Sequence, residues 1–305
     1  STAGYAGGQF NNGQENRGWA MGFVIPFSSL GLSGPPQDGT TWGLSVVVHD
    51  RDKKPPAAMT KSAVWPEKAS TTNPSTWGRL VFGLPAYTPA ASSGGGSTIV
   101  RHKLDGQKVI DAGIGGNAGH LCDASAIWSK WGSYRFAGKT DAIIQNQSNL
   151  HDWPCFAKIY VTFPLSKVPK GKVIKSATLV MHEFGGSDWS QAKPSLIQVS
   201  TVQKDWKEST ITWNNAPLAL ENVAQTWVNP VDHAITPEEW PGWKYEWDVS
   251  AAVAEAYKAG APLRLALYEA DSDYHSGKMF VTSDTGDWNA EGRPTLVIEW
   301  GDKVK

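Results

Sequence analysis

One stretch decides how this chain can be organised: Pro85-Ala86-Tyr87-Thr88-Pro89-Ala90-Ala91-Ser92-Ser93-Gly94-Gly95-Gly96-Ser97. It begins Pro-rich, turns Gly/Ser-rich, and carries no charge and almost no bulky apolar residue. That composition favours a mobile tether over a packed element. The expected layout is therefore a first module at 1–84, a linker at 85–98 and a second module at 99–305. A length of 305 residues fits two domains, with one large β domain as the other solution.

Upstream of the tether, strand-like runs appear at Trp19–Phe27, Trp42–His49 and Gly78–Phe82, with no helical period. Downstream they recur at Lys158–Phe163, Ala177–His182, Ser195–Val202, Leu263–Tyr268, Met279–Thr282 and Thr295–Trp300. Gly-, Pro-, Asn- and Asp-rich connections, such as Phe184-Gly185-Gly186-Ser187, separate these runs. One helix is expected: Asp248 caps it, Val249, Ala252, Val253 and Tyr257 form its apolar stripe, and Gly260 ends it. The stretch Gly113–Leu150 lacks periodicity and reads as a long elaborated loop. The fold class is all-β: two jelly-roll-like β-sandwich modules joined by the Pro/Gly/Ser-rich linker, with one short helix in the second.

Charge excludes one class of partner. Lys and Arg number 28 against 29 Asp and Glu, a net charge of −1, which removes the strongest motive for general nucleic-acid binding, and none is expected. No run approaches the length of a membrane span. The chain starts at Ser1 without Met or a signal-peptide core, as expected of a processed protein or a piece of a longer one. Tryptophan is the outlier, with 16 against 9 Phe and 8 Tyr. Flat rings with one polar handle suit surfaces that are both apolar and wet, and sugar faces are such surfaces.

Two resemblances follow from particular residues. Val24-Ile25-Pro26-Phe27, Asp38-Gly39-Thr40-Thr41-Trp42-Gly43 through Asp50-Arg51-Asp52, Trp65-Pro66 and Trp77-Gly78-Arg79-Leu80 resemble the closing half of a family 9 carbohydrate-binding module, or a DOMON-like sandwich. The likeness covers roughly residues 19–83. It implies that strands preceding Trp19 are cut from this chain, come from another chain, or are replaced in a remodelled module. The second module carries Trp206-Lys207-Glu208-Ser209-Thr210-Ile211-Thr212-Trp213-Asn214-Asn215-Ala216-Pro217, then Trp247-Asp248-Val249-Ser250 and Arg293-Pro294-Thr295-Leu296-Val297-Ile298-Glu299. It is similar to DNRLRE-type domains, the family 96 carbohydrate-binding modules. Trp206 and Trp213 belong to that motif and read as structural.

The candidate carbohydrate contacts are Trp65, Trp128, Trp131, Tyr134, Arg135, Trp240, Trp243 and Trp288. Trp65 matches a position where family 9 modules place a sugar-clamping ring, and its neighbours Pro66 and Lys68 suggest a loop. The others sit among Gly, Pro and polar residues, outside the strand-like runs. A ring in such a place either packs over the core or offers a face to ligand. Asp271, Asp273, Asp284 and Asp287 have the character of a loop calcium site, or of solvated turn acids. Cys122 and Cys155 flank the long loop and would bridge in an exported protein. Gly113-Ile114-Gly115-Gly116-Asn117-Ala118 fits a dinucleotide fingerprint by letters, but no helical period follows it. No catalytic signature is present.

The expected function is a secreted, extracellular, non-catalytic polysaccharide-binding protein, or the tail of a carbohydrate-active enzyme. The alternative is a structural subunit of an extracellular layer or filament that self-assembles by strand exchange. A third reading, a lyase or hydrolase, has no positive sign.

Overall fold

The computed structural model describes residues 2–5, 19–23, 25–50, 61–116, 131–146, 156–186, 188–270 and 275–304. Two compact units emerge: Ile25–Pro85, and Ala86–Lys305 together with Ser1–Val24. At the N-terminus β1 (Thr2–Tyr5) pairs antiparallel with β2 (Trp19–Gly22).

In the smaller unit β3 (Thr41–Leu44) pairs with β6 (Gly78–Val81), and β4 (Val46–Asp50) pairs with β5 (Lys61–Trp65). The run expected at 42–49 thus splits at Ser45, and its halves take different partners. Trp65 closes β5, so it lies on a strand and not in the loop that its flanking Pro66 and Lys68 suggest. The Trp77 ring lies against Gly43, where an added Cβ would come within 3.2 Å, and its Nε1 donates to the Ser70 carbonyl at 2.7 Å. Trp42 meets Phe82 edge-on, with centroids 4.6 Å apart. Both behave as packing residues.

The larger unit is two antiparallel layers curled around one core. One layer contains β7 (Ser92–Arg101), β9 (Asp141–Asn146), β11 (Lys172–Gly186), β14 (Trp243–Asp248), β16 (Lys278–Val281) and β17 (Thr295–Lys303). The other contains β8 (Ile110–Gly115), β10 (Phe156–Phe163), β12 (Ser195–Val202), β13 (Ala219–Val228) and β15 (Leu263–Glu269). The short β9–β10 pairing joins the layers into one curled sheet with β13 and β7 at its ends. Side chains alternate across a strand, so Ile159, Val161 and Phe163 point inward together. Ala177, Leu179 and Met181, and Leu263, Leu265 and Leu267, do the same. Helix α1 (Ser250–Lys258) follows β14 and adds Ala252 and Val253 to this core. Val249, expected in the apolar stripe, is the N-cap in place of Asp248, whose carboxylate accepts from Ser250 N at 3.0 Å; Gly260, at φ +65°, follows the helix end as expected.

Three expectations are corrected here. Residues 92–98 are not a free tether: they form most of β7, antiparallel to β17. Trp300 explains the glycines, because a Cβ on Gly96 would stand 2.7 Å from its indole and one on Gly95 would stand 2.1 Å from its carbonyl oxygen. The strand needs glycine so that a ring can lie across it. The long loop Gly113–Leu150 contains β9, whose four central residues are all buried, which erases the alternation that marks a half-exposed strand. Trp243 opens β14 instead of sitting in a loop.

The motif Trp206–Pro217 crosses the outer face of the second layer. Trp206, Ile211, Trp213 and Ala216 pack on Ala112, Ile114, Tyr160, Val202 and Ala266 as a second small core. Asn215 shapes the turn, accepting from Thr212 N at 2.8 Å and donating to Thr210 O at 2.9 Å. The motif is a lid on a sheet, as its structural reading expects.

Candidate functional site

Two loops of the larger unit bring aromatic rings together. The first runs from β13 to β14. Thr236 and Glu239 form a capping box around the short 3-10 turn Pro237–Glu239, with Thr236 N donating to Glu239 Oε2 at 2.8 Å. His233 bridges the carboxylates of Asp232 and Glu239, which raise its pKa. Trp240 follows directly. Gly242, at φ +105°, passes so close to β11 that a Cβ would lie 2.4 Å from the Glu183 carbonyl oxygen.

The second loop is the 3-10 segment Asp287–Gly292 before β17. Buried Arg293 donates to the Thr285 carbonyl at 2.7 Å and to the Asp287 carboxylate, and Lys103 Nζ reaches the same carboxylate oxygen at 2.9 Å. These two cations hold Asp287 ionised, with its pKa down at about 2. The anchored turn carries Trp288, which remains 70% exposed.

Trp240 and Trp288 meet at 86° with centroids 5.1 Å apart, and Phe184 of β11 braces Trp240 at 5.7 Å. The result is an aromatic corner with one large indole in solvent. Burying such a ring is favourable by about 25 cal/mol per Å² of apolar surface, so an exposed, anchored indole is a natural ligand contact.

The other described candidates have surroundings of their own. Trp65 is 50% exposed in the smaller unit, with its ring over Gly78. Trp243 is half-buried and meets His233 edge-on at 5.7 Å. Tyr134 is half-buried near Phe136, and Arg135 is exposed. Trp131 begins a 3-10 turn, Trp131–Ser133. Trp128, Cys122, Cys155, Asp271 and Asp273 lie outside the described residues. Sequence reading missed Phe184, because Phe184-Gly185-Gly186 looks like the start of a turn when it is the bulged end of β11. It also missed the half-exposed Trp189 and Trp227, the latter outward on edge strand β13.

Of the four acids considered for calcium, only Asp284 and Asp287 lie among the described residues. Asp287 is held by two cations, while Asp284 faces Glu208, and both burial and that neighbour raise the Glu208 pKa. Among the described residues no group of three His, Cys, Asp or Glu side chains is placed to hold a metal ion. Asp111 is buried beneath the Glu208–Asp284 pair's field, with Oδ2 accepting from Ser283 N at 2.7 Å and Oδ1 lacking a partner. Burial foremost, then Asp284 and Glu208, pushes its pKa up to about 8. Glu183 is buried behind the corner; burial raises its pKa, and Lys278 partly offsets that rise.

Two further features border on binding chemistry. Lys158 Nζ lies over Tyr268 at 4.4 Å and Trp213 at 4.8 Å, and burial lowers its pKa. A concavity of about 1130 Å³ at the α1 end is lined by Tyr87, Tyr257, Lys170, Lys258 and Lys303 among others, and by none of the tryptophans. Both tyrosine hydroxyls are spent on main-chain carbonyls, of Ile174 and Pro169. Among the described residues no helix is long and apolar enough to cross a membrane.

A family model described as carbohydrate-binding module family 96 matches residues 129–299. The match holds the aromatic corner and the Trp206–Pro217 motif; residues 19–83 lie outside it, so their likeness to family 9 modules gains no support from it. No curated protein matches the chain. With more than half of its length matched, and the motif folded as a lid on an antiparallel sandwich, the chain belongs to carbohydrate-binding module family 96.

Proposed function

We propose that this chain is an exported, non-catalytic polysaccharide-binding protein that takes its glycan on the Trp240–Trp288 corner. The observation that carries this reading is the exposure of Trp288: 70% of an indole stands in water on a turn tied down by Arg293 and Lys103. A pyranose offers C–H faces to such a ring, and the adjacent Asp287 carboxylate accepts from hydroxyls. Membership of a binding-module family supports the non-catalytic character. So does the burial of Asp111 and Glu183, two acids with raised pKa among the described residues, at 1% and 0% exposure, where a glycosidic oxygen cannot reach them.

Replacing Trp288 by Ala tests the reading. Hot-spot truncations cost at least about 2 kcal/mol, or roughly thirtyfold in affinity. The melting temperature should hardly move, because the ring is mostly outside the core. Unchanged affinity for every polysaccharide that the parent protein binds would refute the assignment.

A further inference from the structure

We infer that the corner selects a single solvated glycan chain over the face of a crystalline polysaccharide. This rests on the carbohydrate reading above and adds the class of ligand. The face of a crystal presents sugar rings in one plane. Two indoles at 86° cannot both lie on that plane, so a flat surface gains one ring contact at most. A free chain can lay one pyranose face on Trp288 and bring an edge or the next residue against Trp240.

Contacts on both sides brace the corner against opening into a flat platform. A Cβ on Gly286 would come within 2.7 Å of the Trp288 ring, so the indole is seated against bare backbone. Gly242 holds the Trp240 turn against the Glu183 carbonyl, and Phe184 packs on Trp240 itself. Arg293 and Lys103 fix the turn beneath Trp288 from two sides. Chemistry at the rim points the same way. The ionised Asp287 carboxylate lies next to Trp288 and is well exposed. A free chain has hydroxyls available to such an acceptor, whereas hydroxyls in a crystal face are largely bonded to neighbouring chains.

The test sets soluble chains against solid ones, using the full chain. Soluble cello-, xylo-, manno-, chito- and uronic-acid oligosaccharides are titrated calorimetrically. Depletion onto microcrystalline cellulose and crystalline chitin is measured in parallel. The parent protein should bind at least one soluble chain and neither crystal. Trp288→Ala should weaken that binding about thirtyfold, the loss expected of a hot-spot ring. Trp288→Phe, which keeps an aromatic face, should recover part of it. Gly286→Ala, which displaces the indole without removing it, should weaken soluble binding while the melting curve stays in place. Retention on either crystal that Trp288→Ala abolishes would overturn the selectivity and leave the carbohydrate reading standing. Binding to no saccharide would overturn the carbohydrate reading itself, and binding that none of the three variants changes would overturn the assignment of the glycan, and with it the selectivity, to this corner.

Discussion

Asp111 is a carboxyl that the fold keeps away from water, and its effect on stability has a definite sign. Unfolded, it releases its proton near pH 4; folded, it holds the proton to about pH 8. Across that window the native state carries the extra proton, so stability falls as pH rises and levels off above the folded pKa. The slope contributed by one such group reaches about 1.4 kcal/mol per pH unit. Glu183 acts in the same direction. Asp111→Asn keeps an acceptor for Ser283 N and removes the titration. Its denaturation midpoint should exceed the parent's at pH 8 and show a flatter profile from pH 4 to 8. A variant with the parent's pH profile would show that Asp111 is already ionised in the fold. None of this was visible in the sequence, where Asp111 sits in an ordinary Val-Ile-Asp-Ala run. Its neighbours Glu208 and Asp284 come from positions far along the chain.

Strand β7 and the Trp206–Pro217 lid show how differently elements announce themselves. The lid was legible because its turn chemistry is local: Asn215 bonds residues three and five positions away. Strands that alternate, such as Ser195–Val202, were legible for the same reason. β9 was hidden because both of its faces are buried, and β14 was hidden although Trp243, Tyr245 and Trp247 repeat every second residue. β7 was unreadable because its glycines serve a partner ring, Trp300, some two hundred residues away. Gly95→Ala should therefore destabilise, both by meeting the Trp300 carbonyl and because Gly95 has φ +133°. Overpacking of this kind costs about 1–3 kcal/mol, read as a lowered denaturant midpoint. A neutral substitution would mean that β7 does not lie against Trp300. In the lid, Trp213→Ala should lower the melting temperature, since large aromatic truncations in packed sites cost roughly 3–5 kcal/mol. Glycan affinity per folded molecule should be unchanged. Loss of affinity at full folding would move the binding site to the Trp213–Lys158–Tyr268 cluster.

For the whole molecule, the division near residue 85 predicts where the backbone is open to cleavage. Residues 84–91 form no strand or helix, whereas Ser92–Arg101 is hydrogen-bonded to β17. Brief treatment with proteinase K should cut before Ser92 and spare the triple glycine. Cuts within 94–97 would mean that β7 is unpaired in solution. Export predicts a Cys122–Cys155 bridge, checked by intact mass with and without reductant; two thiols alkylated without reduction would contradict it. The candidate site was only half legible at this scale: Trp240 and Trp288 were each recognisable as rings placed outside strands. Their meeting at a right angle, with Phe184 behind, exists only after the β13–β14 loop and the turn before β17 converge on the end of β11. The most direct measurement is a titration of the indole Nε1–H resonances with an oligosaccharide that the protein binds. The Trp240 and Trp288 signals should shift in step with occupancy, while that of Trp247, buried and donating to the Ile197 carbonyl at 3.0 Å, stays still. Saturation by the oligosaccharide with the Trp240 and Trp288 signals unmoved would contradict the account.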